Sequence, residues 1–319
     1  MTARAPVVLH LPGSMLKDNR RLKAFYGKLG AGLAARGADV VTRLHDRDAV
    51  PAEVAADQGF HIVDHGRFRH PRVLNAGLSY VQPWYYLDPW GMRAFSSLAG
   101  MAFDPATVDP GRAQGFRDGL YRQLAQGRRS RYEQPAEVLA VPEHCIAVFL
   151  QTETHRDVGE LCHLTLRQMV KALIGRDDPR PIVIKTHPRD MDLDTLGWLV
   201  RKARKDSRLQ IIPANIHDIL AVCDVVVTIN SAVGFEAMMH RKPVVLCGQA
   251  DFHHCAVTLR DRGGMDAAIA AATSRDWPHD AYLTWFFDRL LNADAPDLVD
   301  RVIGRIALTG YDVAALGLG

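Results

Sequence analysis

The chain has 319 residues, is 48% hydrophobic and 24% charged, and carries a formal net charge of +3. This apolar content gives two lobes a core each and excludes a disordered chain, while the near balance of charge excludes nucleic-acid binding driven by bulk electrostatics. The mild basicity favours anionic ligands.

The N-terminus turns polar at His10, too early for the apolar region of a signal peptide. No apolar run approaches the roughly 20 residues of a membrane helix. Cys145, Cys162, Cys223, Cys247 and Cys255 are odd in number and lack CxxC spacing. They read as core thiols in a reducing compartment, with no metal site, so a cytoplasmic location is expected.

Val7 to Leu11 reads as a strand ending in Pro12-Gly13-Ser14, and a helical pattern follows through Leu22, Phe25, Leu29 and Leu33 to Gly37. Asp39 to Leu44 and Phe60 to Val63 read as further strands of an α/β lobe. From Leu74 to Leu98 the chain reads as an irregular loop, with Tyr80, Trp84, Tyr85, Tyr86, Asp88, Trp90 and Ser96 around two prolines. Its rings either plug the space between lobes or contact a sugar or acceptor. Arg112, Arg117, Arg122, Arg128, Arg129 and Arg131 then form a basic helix and linker, opposed only by Asp118 and Glu133. A solvated face is the ordinary role of such a run; peripheral contact with anionic lipid at the inner membrane, or with polysaccharide, is the alternative.

The second half alternates regularly: strand Ile146 to Leu150, helix from about Val158 to Ile174, strand Ile182 to Lys185, helix from about Leu193 to Lys205. Strands Leu209 to Ile212, Val225 to Ile229 and Val244 to Cys247 follow, with helices beginning near His217 and Val233. Beyond Asp251 the pattern is helical, at Ala267 to Ala272, Tyr282 to Leu291 and Leu298 to Leu308. The fold class is therefore α/β, with two Rossmann-like lobes of parallel sheet and C-terminal helices, divided as 1–135 and 136–319.

In open parallel sheets ligands collect beyond the carboxyl ends of strands. Three segments fall there. In Lys185-Thr186-His187-Pro188, a buried strand delivers a cation and an imidazole to a turn fixed by proline, a set suited to a nucleotide phosphate; the competing role is a strand-end cap. In Thr228-Ile229-Asn230-Ser231-Ala232-Val233-Gly234-Phe235-Glu236, Ser231 is a candidate N-cap whose neighbouring amides face an anion. Asn230 orients the same group, and Gly234 lets the backbone approach. Glu236 serves either a ribose hydroxyl or a capping box. The third segment, Gln151 to Asp157, crowds Glu153, His155 and Asp157 after the first strand of the second lobe. These are the candidate catalytic groups for sugar transfer, and helix capping is their competing role.

The three segments, in this order, together with Tyr85-Tyr86-Leu87-Asp88-Pro89-Trp90-Gly91, resemble the capsule polysaccharide synthesis family, whose members include Kdo transferases. The resemblance covers about Leu74 to Leu259. It implies a GT-B-like architecture, with 1–135 as the acceptor-side lobe and 136–319 as the nucleotide-sugar-binding lobe. It further implies an acid sugar such as Kdo on a CMP donor, an anionic glycan or glycolipid acceptor, and Lys185, His187, Ser231 and Glu236 at the nucleotide-binding positions. Metal-independent transfer without a cofactor is implied too. Where the family carries an Asp near Gln151, this chain has His155. A UDP-sugar transferase or epimerase, or a noncatalytic protein of capsule assembly that binds nucleotide or polysaccharide, are the competing readings.

Overall fold

The computed structural model describes residues 4–17, 22, 24–151, 161–188 and 192–318. The chain divides into two compact units, one formed by residues 1–101 with 286–319 and the other by residues 102–285.

The first unit is built on a six-stranded sheet. Its strands are β1 (Val7–Leu11), β2 (Val40–Leu44), β3 (Phe60–Asp64), β4 (Val73–Leu78), β5 (Trp84–Asp88) and, from the far end of the chain, β12 (Leu291–Asn292). They lie in the order β12-β5-β4-β3-β1-β2. The strands β2, β1, β3 and β4 are parallel, in a register that sets Val7 beside both Val40 and Phe60. The edge is not: β5 runs antiparallel to β4 and β12 antiparallel to β5, where parallel strands alone were expected.

The expected loop from Leu74 to Leu98 is half sheet. Trp84, Tyr85 and Tyr86 have high strand propensity, and once β4 supplies a partner they pair through it in a hairpin closed by Ser79 N–H donating to Trp84 O at 2.9 Å. Only the part after Asp88 is irregular, and Asp88 organises it. Its carboxylate accepts from the Trp90 and Gly91 amides at 2.7 and 3.1 Å and from the Ser97 hydroxyl at 2.6 Å.

The core of this unit explains its discontinuity in sequence. Leu291, Leu298, Val302, Ile306 and Leu316 are buried in one cluster with Leu9, Leu29, Leu33 and Phe60. The helix Leu298–Ala307 thus completes the apolar core begun by β1 and helix Tyr26–Ala35. The chain divides at 101/102 and 285/286, not at 135/136.

The second unit holds a wholly parallel sheet of β6 (Ile146–Phe149), β7 (Ile182–Lys185), β8 (Leu209–Ile211), β9 (Val225–Thr228), β10 (Val244–Leu246) and β11 (Val257–Thr258). The order is β11-β10-β9-β6-β7-β8. Strands β6, β7, β9 and β10 are buried along their whole length, as their apolar, Val- and Ile-rich runs dictate for a sheet covered on both faces. Helices Leu166–Ile174, Leu193–Ala203, Ile216–Val222 and Ala232–Met239 make the successive crossovers. The first begins at Leu166, where Thr165 and Gln168 form a reciprocal capping box, and Val158, its expected start, lies outside the described residues.

The order of the sheet fixes where a ligand can enter. From β6 the chain steps outward through β7 and β8, then returns to the opposite side of β6 for β9, β10 and β11. The carboxyl end of β6 is therefore a topological switch point, the position at which open parallel sheets generally take their ligands.

Candidate functional site

Two of the three segments singled out in the sequence sit at carboxyl ends on either side of β6. The first leaves β7 and the second leaves β9, with β6 between. The strand ends are tied together there. Thr228 Oγ1 donates to Phe149 O at 2.8 Å, and the Leu150 amide donates to Lys185 O at 3.0 Å.

Lys185 is the last residue of β7 and is buried. Its ammonium donates to Ala214 O at 2.5 Å, and burial lowers its pKa. His187, two residues on, packs edge to face against the Tyr132 ring, with centroids 4.8 Å apart and an interplanar angle of 80°. Pro188 follows, exposed at the turn. Arg189 and Asp190 of the same segment lie outside the described residues.

Beyond β9, Asn230 Nδ2 donates to Gln249 O at 3.1 Å, which holds the turn in place. Ser231 is the N-cap of helix Ala232–Met239, as expected, and its hydroxyl accepts from the Val233 amide at 3.3 Å. The need for Gly234 is one of packing. A Cβ there would meet Thr228 Cγ2 at 3.2 Å and the Phe252 ring at 3.3 Å.

Glu236 departs most from expectation. Position N3 of the helix is Gly234, so Glu236 forms no capping box. The residue is 2% exposed, and its Oε1 accepts from Ser130 Oγ at 2.9 Å while Oε2 is buried without a hydrogen-bond partner among the described residues. Burial pushes the carboxyl up to about 8, outweighing the Ser130 hydrogen bond and the nearby Arg131 guanidinium, which both lower it. His217 Nε2 stands 3.8 Å from Oε2, but burial lowers the His217 pKa, so two neutral groups meet there and not an ion pair.

This contact leads to a part of the site that sequence reasoning missed. After helix Pro110–Leu120 and a π-helical turn at Tyr121–Gln126, residues 128–136 cross the second unit as a strap. Asn215 Nδ2 donates to Arg128 O at 3.0 Å, and His217 Nε2 donates to Arg129 O at 2.8 Å. The Ile216 amide donates to Gln134 Oε1 at 3.3 Å, and Arg128 pairs with Asp218 at 2.8 Å. Behind the strap, His217 Nδ1 lies 3.0 Å from His240 Nε2, and burial followed by the neighbouring His217 takes the His240 pKa down to about 3. Of the arginines expected to form a solvated face, Arg128 is a fastening, and Arg117 pairs with Asp118 at 2.9 Å and faces Asp280 at 3.5 Å.

The remaining candidates, Glu153, His155 and Asp157, lie outside the described residues. The candidate site is therefore the carboxyl ends of β7 and β9, which carry an amine, an imidazole and a helix N-terminus, with Tyr132 of the strap packed against the imidazole.

No curated protein matches the chain in sequence. Among solved structures, the chain is similar to two of Thermosulfurimonas dismutans KpsC. The first, a beta Kdo 2,7 transferase, has TM-score 0.54 and 17% identity over 81% of this chain and 84% of that one. The second, a beta Kdo 2,4 transferase, has TM-score 0.53 and 16% identity over 88% and 89%. At that identity the likeness is one of fold, and the fold is of the GT-B type. Residues 121–290, just over half of the 319, match the model of a family described as capsule polysaccharide biosynthesis protein. That span takes in the strap and both strand-end motifs, and the chain belongs to the capsule polysaccharide biosynthesis protein family.

Proposed function

We propose that the chain is a glycosyltransferase of surface-polysaccharide synthesis that transfers an acid sugar of the Kdo class from a CMP donor to an anionic glycan or glycolipid. The observation that carries this reading is the placement of Lys185, His187 and the N-terminus of helix Ala232–Met239 at carboxyl ends on both sides of the switch strand β6. Such a crevice neutralises a phosphate with imidazole and amide donors and lets CMP depart as an anion without a metal. The segment between β6 and residue 161 supplies Glu153, His155 and Asp157, of which one removes the acceptor proton. The protein works in the cytoplasm at the inner membrane face, where a glycolipid acceptor is presented.

Titration with CMP and with UDP, read as thermal stabilisation, tests the donor. CMP is expected to stabilise the native chain and to lose about tenfold or more in affinity in His187→Ala, the loss of one charge-assisted contact. Stabilisation by UDP alone replaces the CMP donor with a UDP-sugar. Turnover of CMP-Kdo by the native chain, absent in Glu153→Gln, His155→Asn or Asp157→Asn, identifies the base. Nucleotide binding without any turnover reduces the protein to a noncatalytic binder of capsule assembly.

A further inference from the structure

Glu236 and His187 stand on opposite sides of β6, yet one short piece of chain touches both. Ser130 donates to Glu236 at 2.9 Å, and two residues later the Tyr132 ring meets the His187 imidazole at 4.8 Å. We propose that Tyr132 is the aromatic wall of the nucleotide site, contacting the nucleobase or its ribose, and that Glu236 positions it through Ser130 without touching the nucleotide. This rests on the reading of His187 as a phosphate ligand.

Three observations carry it. First, the strap is fixed at both ends and in the middle. The side chains of Asn215 and His217 hold the carbonyls of Arg128 and Arg129, and the Ile216 amide holds Gln134. The Arg128 guanidinium also donates to Ala136 O at 2.8 Å and Glu137 O at 3.0 Å. A segment pinned by this many polar contacts is a built wall, since each contact is lost if it swings away.

Second, Glu236 is spoken for. At 2% exposure, with Oε1 occupied by Ser130, its carboxyl meets no ligand while the strap is in place. Residue type and helix position suggested a ribose contact, but the geometry gives the carboxyl a different partner. Third, an aromatic ring adjoining a phosphate-binding imidazole is within one nucleotide's length of the phosphate. A base or sugar finds there a flat apolar surface, and aromatic contact of this kind tolerates different bases.

The experiment is calorimetric titration of CMP into the full chain and its variants. Tyr132→Ala is expected to weaken CMP about tenfold to hundredfold, in the range for loss of one base–aromatic contact. Tyr132→Phe is expected to stay within about threefold of native. Glu236→Gln, which still accepts from Ser130, is expected to keep native affinity, whereas Glu236→Ala weakens CMP together with the strap, read as faster amide exchange over residues 128–134. Tyr132→Leu, which keeps the bulk but not the ring, stands in if Tyr132→Ala fails to fold, with the same loss expected. Native affinity in folded Tyr132→Ala or Tyr132→Leu overturns the proposal and leaves the donor reading standing. A Glu236→Gln variant that folds and keeps its strap but loses CMP overturns the positioning role. A native chain that binds no CMP overturns this proposal and the donor reading together.

Discussion

The state of Glu236 can be tested through stability alone. With its carboxyl near 8 in the folded chain and 4.5 as the ordinary value, the unfolded chain releases its proton first as pH rises. Between those two values the unfolded state binds fewer protons than the folded one, so stability falls with rising pH, by about 1.4 kcal/mol per pH unit. The accumulated cost is about 3 kcal/mol at pH 7 and on the order of 5 kcal/mol by pH 8, large beside the 5–15 kcal/mol of a typical domain. Above pH 8 the folded carboxyl ionises too and the slope ends. Glu236→Gln keeps the acceptor for Ser130 and removes the titration. Urea unfolding of both proteins from pH 5 to 8.5 is therefore expected to show the variant gaining on the native chain by about 3–5 kcal/mol, while histidines common to both cancel in the difference. Parallel curves, with a difference constant within about 1 kcal/mol, refute the neutral carboxyl, as does an infrared spectrum at pH 7 without a protonated-carboxyl band that the variant lacks.

His240 contributes to the opposite limb, since its pKa of about 3 lies below the ordinary 6.5. The unfolded imidazole takes up a proton first as pH falls below 6.5, so this residue costs stability downward from there by about 1.4 kcal/mol per unit, beside His10 and His279, each lowered to about 4, and His240→Gln is expected to remove its share of the slope in acid unfolding curves. Gly248→Ala is expected to cost about 1–3 kcal/mol in thermal melts, because its Cβ would lie 2.7 Å from Leu161 O and 2.9 Å from Ile229 Cγ2. Gly115→Ala, inside helix Pro110–Leu120 with none of the described residues within 4 Å of the added carbon, is expected to stabilise by about 0.5–1 kcal/mol in the same assay. Ile306→Ala, in the C-terminal helix that fills the first unit's core, is expected to cost about 2–5 kcal/mol, with protease sensitivity appearing in β1 to β5.

What could be read from the sequence was what local physics determines. The strand Ile182–Lys185 was legible to the residue, because an unbroken β-branched run before a Lys-x-His-Pro turn has few other uses. Ser231 as an N-cap was legible for the same reason. The misreadings came where a distant partner decides. Tyr85 to Leu87 looked like loop because prolines flank them, and only pairing with Ala76 to Leu78 makes them a strand. The division at residue 135 failed because Leu291 to Leu318 return to a core begun at Val7, a contact no periodicity reveals. The strap was invisible for the same cause: Ser130 and Glu236 are 106 positions apart, and Arg129 and His217 are 88 apart. A hydroxyl within a basic linker carries no sign of the carboxyl it will meet.

The neutral carboxyl bears on the chemistry as well as on stability. An ionised Glu236, five positions into a helix whose N-terminus faces the crevice, would set a negative charge near that terminus and beside Arg131. Burial denies it that charge, so the helix dipole and Arg131 are not cancelled by Glu236, and the field at the end of β9 favours an anion. The acid is thereby usable as a hydrogen-bond anchor for the strap, accepting from the Ser130 hydroxyl at one oxygen, without placing a negative charge near the helix N-terminus. The same reasoning accounts for the imidazoles behind it: His217 and His240, kept neutral by burial, fasten a carbonyl and each other while adding no charge of their own there.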